Sequence, residues 1–269
     1  MGYVFKFAYD GTKFSGYQKG NGQNSIEDTI VNNLNSAGIN SRIMSAARTD
    51  RGVSALGNAV YIDSDEKPNK IAGVINAGCK DMIFHSYSPA EDGFKPRHCD
   101  MKVYRYILQA WNLEIEKFSE TLQHFVGTHD FSSFSRTDGR NPVRTIDRIE
   151  VTKSDQMVYA DFYGQSFLWN QIRNIIAYAL RNHESNADAD PFEMKTRFSG
   201  LAEPYPLVLM DILYSKLTFS RIPLLSYGKR IKADIAFYSV KLERDKFLLD
   251  FVSGKEFSYA FNFTGDERP

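Results

Sequence analysis

The run Ala47-Arg48-Thr49-Asp50-Arg51-Gly52-Val53 sets one carboxylate between two guanidinium groups, with a glycine close behind. Arg48 and Asp50 are two residues apart, so on an extended backbone they share a face and Thr49 takes the other. A carboxylate flanked by arginines is favoured in its charged form and suited to act as a nucleophile, while the arginines can grip phosphates. Alone, such a triplet reads as a surface ion pair at a turn. Arg173 changes the balance. Trp169, Ile172, Ile176 and Leu180 are spaced to share one helical face that includes Arg173, and Gln171, Asn174, Tyr178 and Arg181 take the other. An arginine in an apolar stripe either snorkels to the edge or meets a carboxylate, and Asp50 is a candidate partner. That pairing would set a site between the front and back of the chain.

Lys102, Tyr104 and Tyr106 alternate along one strand face, a pattern that stacks bases and holds phosphates, or packs into a core as is expected for Tyr106. Basic residues gather at Arg42, Arg48 and Arg51, at Lys95, Arg97, Lys102 and Arg105, and at Arg136, Arg140, Arg144 and Arg148. Acid gathers at Glu184, Asp188 and Asp190. The net charge is +0, so a nucleic-acid partner requires a basic groove with the acids on another face.

Other chemistries fit poorly. The glycine-bearing loop 16–22 lacks the spacing of a P-loop or dinucleotide fingerprint and reads as a flexible turn. No Gly-x-Ser-x-Gly elbow is present. Cys79 and Cys99 read as small core residues in a reducing compartment, and the histidines, His124 and His129 among them, lack ligand spacing, so no metal is expected. The first residues enter a strand pattern directly and no apolar run reaches membrane-spanning length, which makes the cytoplasm the expected location.

The elements that position these residues follow from pattern. At 269 residues with 42% hydrophobic and 14% aromatic content, the chain is expected to fold as two α+β domains, 1–92 and 93–269. The first reads as a strand over 3–9, a helix capped by Ser25 and stopped by Gly38, strands over 42–47 and 57–62, a helix over 68–78, and a strand over 82–87. That β-α-β-β-α-β order is the ferredoxin-like unit. The second repeats it, with strands over 101–109, 143–152, 158–163 and 207–214 and helices over 115–126 and 167–181, plus a shorter helix from Pro191. The tail from 215 is expected to contain a hairpin turning at Arg244-Asp245.

In order along the chain, Tyr9-Asp10-Gly11-Thr12 with Gly16 and Gln18, Arg48-Thr49-Asp50 with Gly52-Val53, Phe94 with Arg97, Tyr104-Arg105-Tyr106, Asp130-Phe131-Ser132-Ser133-Phe134, Arg173-Asn174 and Leu207-Val208-Leu209 ahead of Tyr214 resemble the tRNA pseudouridine synthase A family. The resemblance spans roughly residues 3–214. It departs at Ala47, Ser54 and Pro206, where the family often has Gly, His and Gly, and at Trp169-Asn170-Gln171. It implies a pseudouridine synthase fold of two ferredoxin-like halves around a central cleft, and an isomerase that converts uridine to pseudouridine in the tRNA anticodon stem-loop. It implies no cofactor, tRNA as partner and a homodimer. Asp50 would be the catalytic residue, Arg48 would help displace the flipped base, Tyr104 would stack on the uracil, Arg173 would pair with Asp50, and Leu207 would line the pocket. Arg51, Phe94, Arg97, Lys102 and Arg105 are expected on the RNA-binding surface. The rival readings are a synthase for another RNA and a non-catalytic RNA-binding protein.

Overall fold

A computed structural model describes residues 2–20, 24–111, 113–136, 139–182, 190–194, 196–224 and 227–253. Met1–Ile222 form one compact unit and Pro223–Pro269 a second.

The first unit opens with β1 (Gly2–Tyr9), α1 (Ile26–Ser36), β2 (Arg42–Ser45), β3 (Ser54–Asp63), α2 (Pro68–Gly78) and β4 (Met82–Ala90). The Ser25 hydroxyl accepts the Asp28 N–H at 3.0 Å and starts α1, whose Ile26, Ile30 and Leu34 are buried at fourfold spacing. Gly38 ends it with φ +74, a conformation that favours glycine. Pro68 starts α2, where it leaves no N–H unpaired, and Ile71, Ala72 and Ile75 form its buried face.

The order then recurs with β5 (Met101–Gln109), α3 (Ile115–Gln123), β6 (Gly127–Asp130), β7 (Val143–Ile146), β8 (Arg148–Ser154), β9 (Met157–Gly164), α4 (Gln171–Asn182) and β10 (Leu207–Leu213). The segment expected as one strand over 143–152 is divided: β7 leaves the main sheet to pair with β6, and β8 pairs with β9. Pro191–Glu193 form a single 3-10 turn rather than a longer helix. Glu184 and Asp188 lie outside the described residues, as do positions 21 and 22 of the glycine loop.

Strand order shows how the repeat works. Along the sheet the front strands run β4-β1-β3 with β2 also on β3, and the back strands run β10-β5-β9-β8. Both halves therefore place their first and third strands at the centre, the ferredoxin-like arrangement. The halves join where β10 pairs in parallel with the start of β3, Val208 opposite Ser54 and Leu209 opposite Ala55. β11 (Ser220–Arg221) extends the edge at β4.

In the front half the core is the aromatic row Phe5, Phe7, Tyr9 and Phe84, with Phe7 stacked on Phe84 at 4.9 Å. In the back half Phe125, Phe131, Phe134, Phe192 and Phe198 cluster with Tyr178 of α4, mostly edge-on but with Phe134 stacked on Phe198. The Asp130-Phe131-Ser132-Ser133-Phe134 motif belongs to this cluster, and Phe198 N–H donates to the Ser133 carbonyl at 3.0 Å.

The second unit holds α5 (Tyr227–Val252), so the hairpin expected at Arg244-Asp245 is corrected to continuous helix. From Lys229 to Val252 there is neither Gly nor Pro, and Lys246 pairs with Glu243 one turn back at 3.2 Å. A charged dipeptide alone cannot reverse a chain that favours helix on both sides. Among the described residues no helix is long and apolar enough to cross a membrane.

Candidate active site

Asp50 lies on the loop between β2 and β3, and this loop is held from several sides. Tyr17 N–H donates to the Thr49 carbonyl at 3.1 Å, Gly52 N–H to the Gly11 carbonyl at 3.1 Å, and Val53 N–H to the Asp50 carbonyl at 3.1 Å. Gly11 N–H in turn donates to the Ser54 hydroxyl at 3.0 Å. A Cβ at Gly11 would overlap the Val53 carbonyl, so only glycine lets these segments meet. Gly52 adopts φ +89, and a Cβ there would stand 3.0 Å from Pro204 Cγ.

Beneath the loop runs a buried polar chain. The Thr49 hydroxyl lies 2.8 Å from Tyr9 Oη. Asn58 Nδ2 donates to Tyr9 Oη at 3.1 Å and to the Ala47 carbonyl at 3.1 Å. Tyr9, Thr49 and Asn58 are all buried, and burial pushes the Tyr9 hydroxyl well above its ordinary range. The expected alternation holds: Thr49 faces inward, and the Asp50 side chain keeps 30% of its exposure on the opposite side.

Arg173 Nη1 meets Asp50 Oδ2 at 3.1 Å, across 123 residues of sequence. The guanidinium side chain is only 12% exposed and is further held by Nε donating to the Ala202 carbonyl at 2.8 Å and Nη1 to Asn170 Oδ1 at 3.3 Å. Arg173 is thus mostly buried and paired rather than snorkelled.

The helix that carries it differs from the expected 167–181. It starts at Gln171, because Asn170 takes φ 65 and the Gln171 side chain reaches back to accept the Leu168 N–H at 2.8 Å. Its buried face is corrected as well. Gln171, Asn174 and Tyr178 are buried with Ile172, Ile175, Ile176 and Ala179, whereas Trp169 and Leu180 are exposed. Tyr178 enters the aromatic cluster, and Trp169 stacks under the Arg136 guanidinium at 4.2 Å.

Tyr104 on β5 is buried edge-on against Phe167 at 5.4 Å. Burial pushes its hydroxyl well up, and Tyr9 and Asp50 push the same way, so the carboxylate lies within electrostatic reach of the ring. Tyr106 shares its face, donates Oη to the Glu203 carbonyl at 3.0 Å, and is pushed up to about 12 by burial. Leu207 pairs with Tyr106 and Leu209 with Tyr104 across β10 and β5. Leu207 N–H donates to Pro204 O at 3.1 Å, so the segment that meets Gly52 leads directly into Leu207. Asp50, Tyr104, Arg173 and Leu207 therefore gather where the two halves join.

The other anticipated residues are placed elsewhere. Arg48 is exposed and donates to Gln18 Oε1 at 3.2 Å, and Arg51 is exposed at the turn. Arg105 forms a two-pronged pair with Asp161, both bonds 2.7 Å, and lies over Tyr159 on the strand face opposite Tyr104. Phe94 packs between Tyr61 and Tyr214, whose hydroxyl donates to the Pro96 carbonyl. Lys102 is buried on the Tyr104 face, and Arg97 is exposed within its electrostatic reach. Sequence reasoning missed Asn58, and it assigned no role to Tyr9 or Gly11 within their motif. The signal for Thr49 was its inward alternation; for Asn58 there was none. Among the described residues no cluster of His, Cys, Asp or Glu is placed to hold a metal ion.

Comparison with known proteins points the same way. The sequence model of a family described as tRNA pseudouridine synthase matches residues 121–215. A tRNA pseudouridine synthase A of Picrophilus torridus is 43% identical over 81% of this chain and 84% of its own length. Proteins of the same name from Thermoplasma volcanium and Pyrococcus abyssi are 44% and 40% identical, each over 81% of this chain and 87% of their own. With its doubled ferredoxin-like sheet and relatives matched at this identity over most of both chains, this chain belongs to the tRNA pseudouridine synthase A family.

Proposed function

We propose that this protein isomerises uridine to pseudouridine in the anticodon stem-loop of tRNA, with Asp50 as the catalytic carboxylate. The reaction breaks the N1–C1′ bond, turns the uracil and rejoins it through C5, with a proton leaving C5 and one gained at N1. No atom enters or leaves the molecule, so the residues of the cleft can carry the chemistry. A base inside a stem must first leave the stack at a cost of about a few kcal/mol. Tyr104 offers the aromatic platform, Leu207 an apolar wall, and Arg48, exposed two residues before Asp50, a cation to displace the base.

The observation that carries this reading is the 3.1 Å pair between Asp50 and Arg173, within electrostatic reach of Tyr104. It leaves the Asp50 side chain 30% exposed to a substrate and gives a physical reason for a mostly buried arginine, which a protein that only binds RNA would not need. The functional division falls at 92/93, so each half supplies one member of the pair. Two copies per assembly and a cytoplasmic setting belong to the same reading, tested by light scattering and by imaging of a tagged chain.

The decisive experiment is Asp50→Asn, assayed by carbodiimide labelling and primer extension, because product and substrate have equal mass. The expected result is loss of pseudouridine with tRNA affinity retained. Full activity in Asp50→Asn, or modification confined to another RNA, overturns the proposal.

A further inference from the structure

Lys102 is 7% exposed, yet among the described residues no carboxylate pairs with it and no hydrogen bond holds its ammonium. Arg144, close by, buries its Nε without a partner while Nη1 donates to the Asn141 and Val143 carbonyls at 2.8 and 2.7 Å. Backbone geometry places the two together. Lys102 pairs with Gly164 across β5 and β9, and a Cβ at Gly164 would stand 3.0 Å from the Thr145 carbonyl, next to Arg144. β7 therefore crosses over the strand pair at Lys102.

The surroundings are cationic. Burial pushes the Lys102 ammonium down from its ordinary range, and Arg97 and Arg144 push it further; Cys99 is the one neighbour acting the other way. Burial lowers Arg144 too, with Arg140 adding to it. The Cys99 thiol is turned to the Gln165 carbonyl at 3.7 Å. A buried cation without a counter-charge is costly, so an anion arriving there recovers a large interaction. Lys102 and Tyr104 share a strand face two residues apart, about 7 Å, a distance a nucleotide spans from base to phosphate.

We propose that Lys102 and Arg144 hold one phosphate of the RNA backbone flanking the base that stacks on Tyr104. The inference rests on the RNA-substrate reading above and adds to it the register of the strand in the cleft. One point charge and one guanidinium suit a phosphodiester, which needs acceptor oxygens met from two sides.

The test uses Lys102→Met and Lys102→Arg, full-length tRNA, and anticodon stem-loop RNAs carrying single neutral methylphosphonates around the target uridine. Lys102→Met removes a buried charge, so its melting temperature should equal or exceed wild type. Its tRNA Kd should rise about tenfold or more, and the slope of log K against log salt should shrink by roughly one phosphate contact, about 0.7–0.9. One methylphosphonate position should weaken wild type as much and add nothing to Lys102→Met, while Lys102→Arg should keep the affinity. Unchanged affinity and salt slope in Lys102→Met, or additive losses at every methylphosphonate position, overturn the phosphate site. Pseudouridine formation by wild type is measured in parallel. Its absence overturns the parent reading and this one together, whereas its presence with an unaffected Lys102→Met overturns only this one.

Discussion

The chain Asn58–Tyr9–Thr49 should set the position of Asp50, and a double-mutant cycle can measure it. Tyr9→Phe deletes the Oη that stands 2.8 Å from the Thr49 hydroxyl, while Asn58 Nδ2 keeps its 3.1 Å bond to the Ala47 carbonyl. One buried hydroxyl, on Thr49, is left without a partner, at about 2 kcal/mol. For a unit of this size that is a melting-temperature loss of about 4–8 °C. Thr49→Val leaves Tyr9 Oη still bonded to Asn58 and should cost about 1 kcal/mol. The double variant has no orphaned hydroxyl, so its cost should fall below the sum of the singles by about 1 kcal/mol. Urea unfolding of the four proteins reads these terms. Steady-state kinetics on tRNA reads the second consequence: with the loop loosened, kcat should fall about tenfold or more while KM holds. Stability losses that add within about 0.3 kcal/mol would show that the two hydroxyls do not act on each other. A normal kcat in a destabilised Tyr9→Phe would show that the chain supports the fold without aiming Asp50.

Other perturbations separate the site from its frame. Arg173→Lys offers one ammonium where a guanidinium serves Asp50, Ala202 and Asn170; kcat should drop about tenfold or more with tRNA binding retained, and equal losses in both would refute a positioning role. Gly11→Ala drives a methyl into the Val53 carbonyl and should cost about 1–3 kcal/mol by denaturation, with a lowered kcat because Gly11 also accepts the Gly52 N–H. Arg105→Gln leaves Asp161, with its side chain 9% exposed, unpaired; since Arg105 is itself 32% exposed, the expected loss is about 2 kcal/mol, and modification by the folded fraction should be unchanged. Burial holds His85 below its ordinary range, opposed by the Leu56 carbonyl and Asp211 and helped by Lys6 and Arg221. The unfolded chain therefore takes up a proton first as pH falls through about 6.5, and stability should decline from there downward. Melting curves of His85→Gln should show a shallower decline than wild type, and parallel curves would refute the assignment.

Much of this was legible in the residues. Ser25, Gly38 and Pro68 mark helix ends by local chemistry that tertiary contacts do not overrule, so those boundaries agree with the structure. The Asp50–Arg173 pair was legible because an arginine among apolar residues demands a carboxylate, and Arg-Thr-Asp offers one at an inward-outward alternation. The burial of α4 was not. Gln171, Asn174 and Tyr178 read as the face opposite the apolar stripe, but a helix packed both on α3 and on an aromatic cluster is covered over more than one stripe. Arg105 shows the opposite limit: as a base in a family motif it looks like an RNA contact, and only the partner strand reveals that Asp161 already occupies it. In the tail, a charged pair resembled a turn because no pattern distinguishes it from one turn of exposed helix.

The parallel join of β3 to β10 has a mechanical meaning. The carboxylate sits on the loop that enters β3, and the guanidinium of α4 is bonded to the Ala202 carbonyl on the segment that leads into β10, so both are tied to segments entering one continuous hydrogen-bonded sheet. Opening or closing at that join is therefore resisted by the sheet's own hydrogen bonds. Whatever bending is needed to bring a stacked nucleotide to that fixed point must then come from the nucleic acid, and stems that open easily should be served fastest.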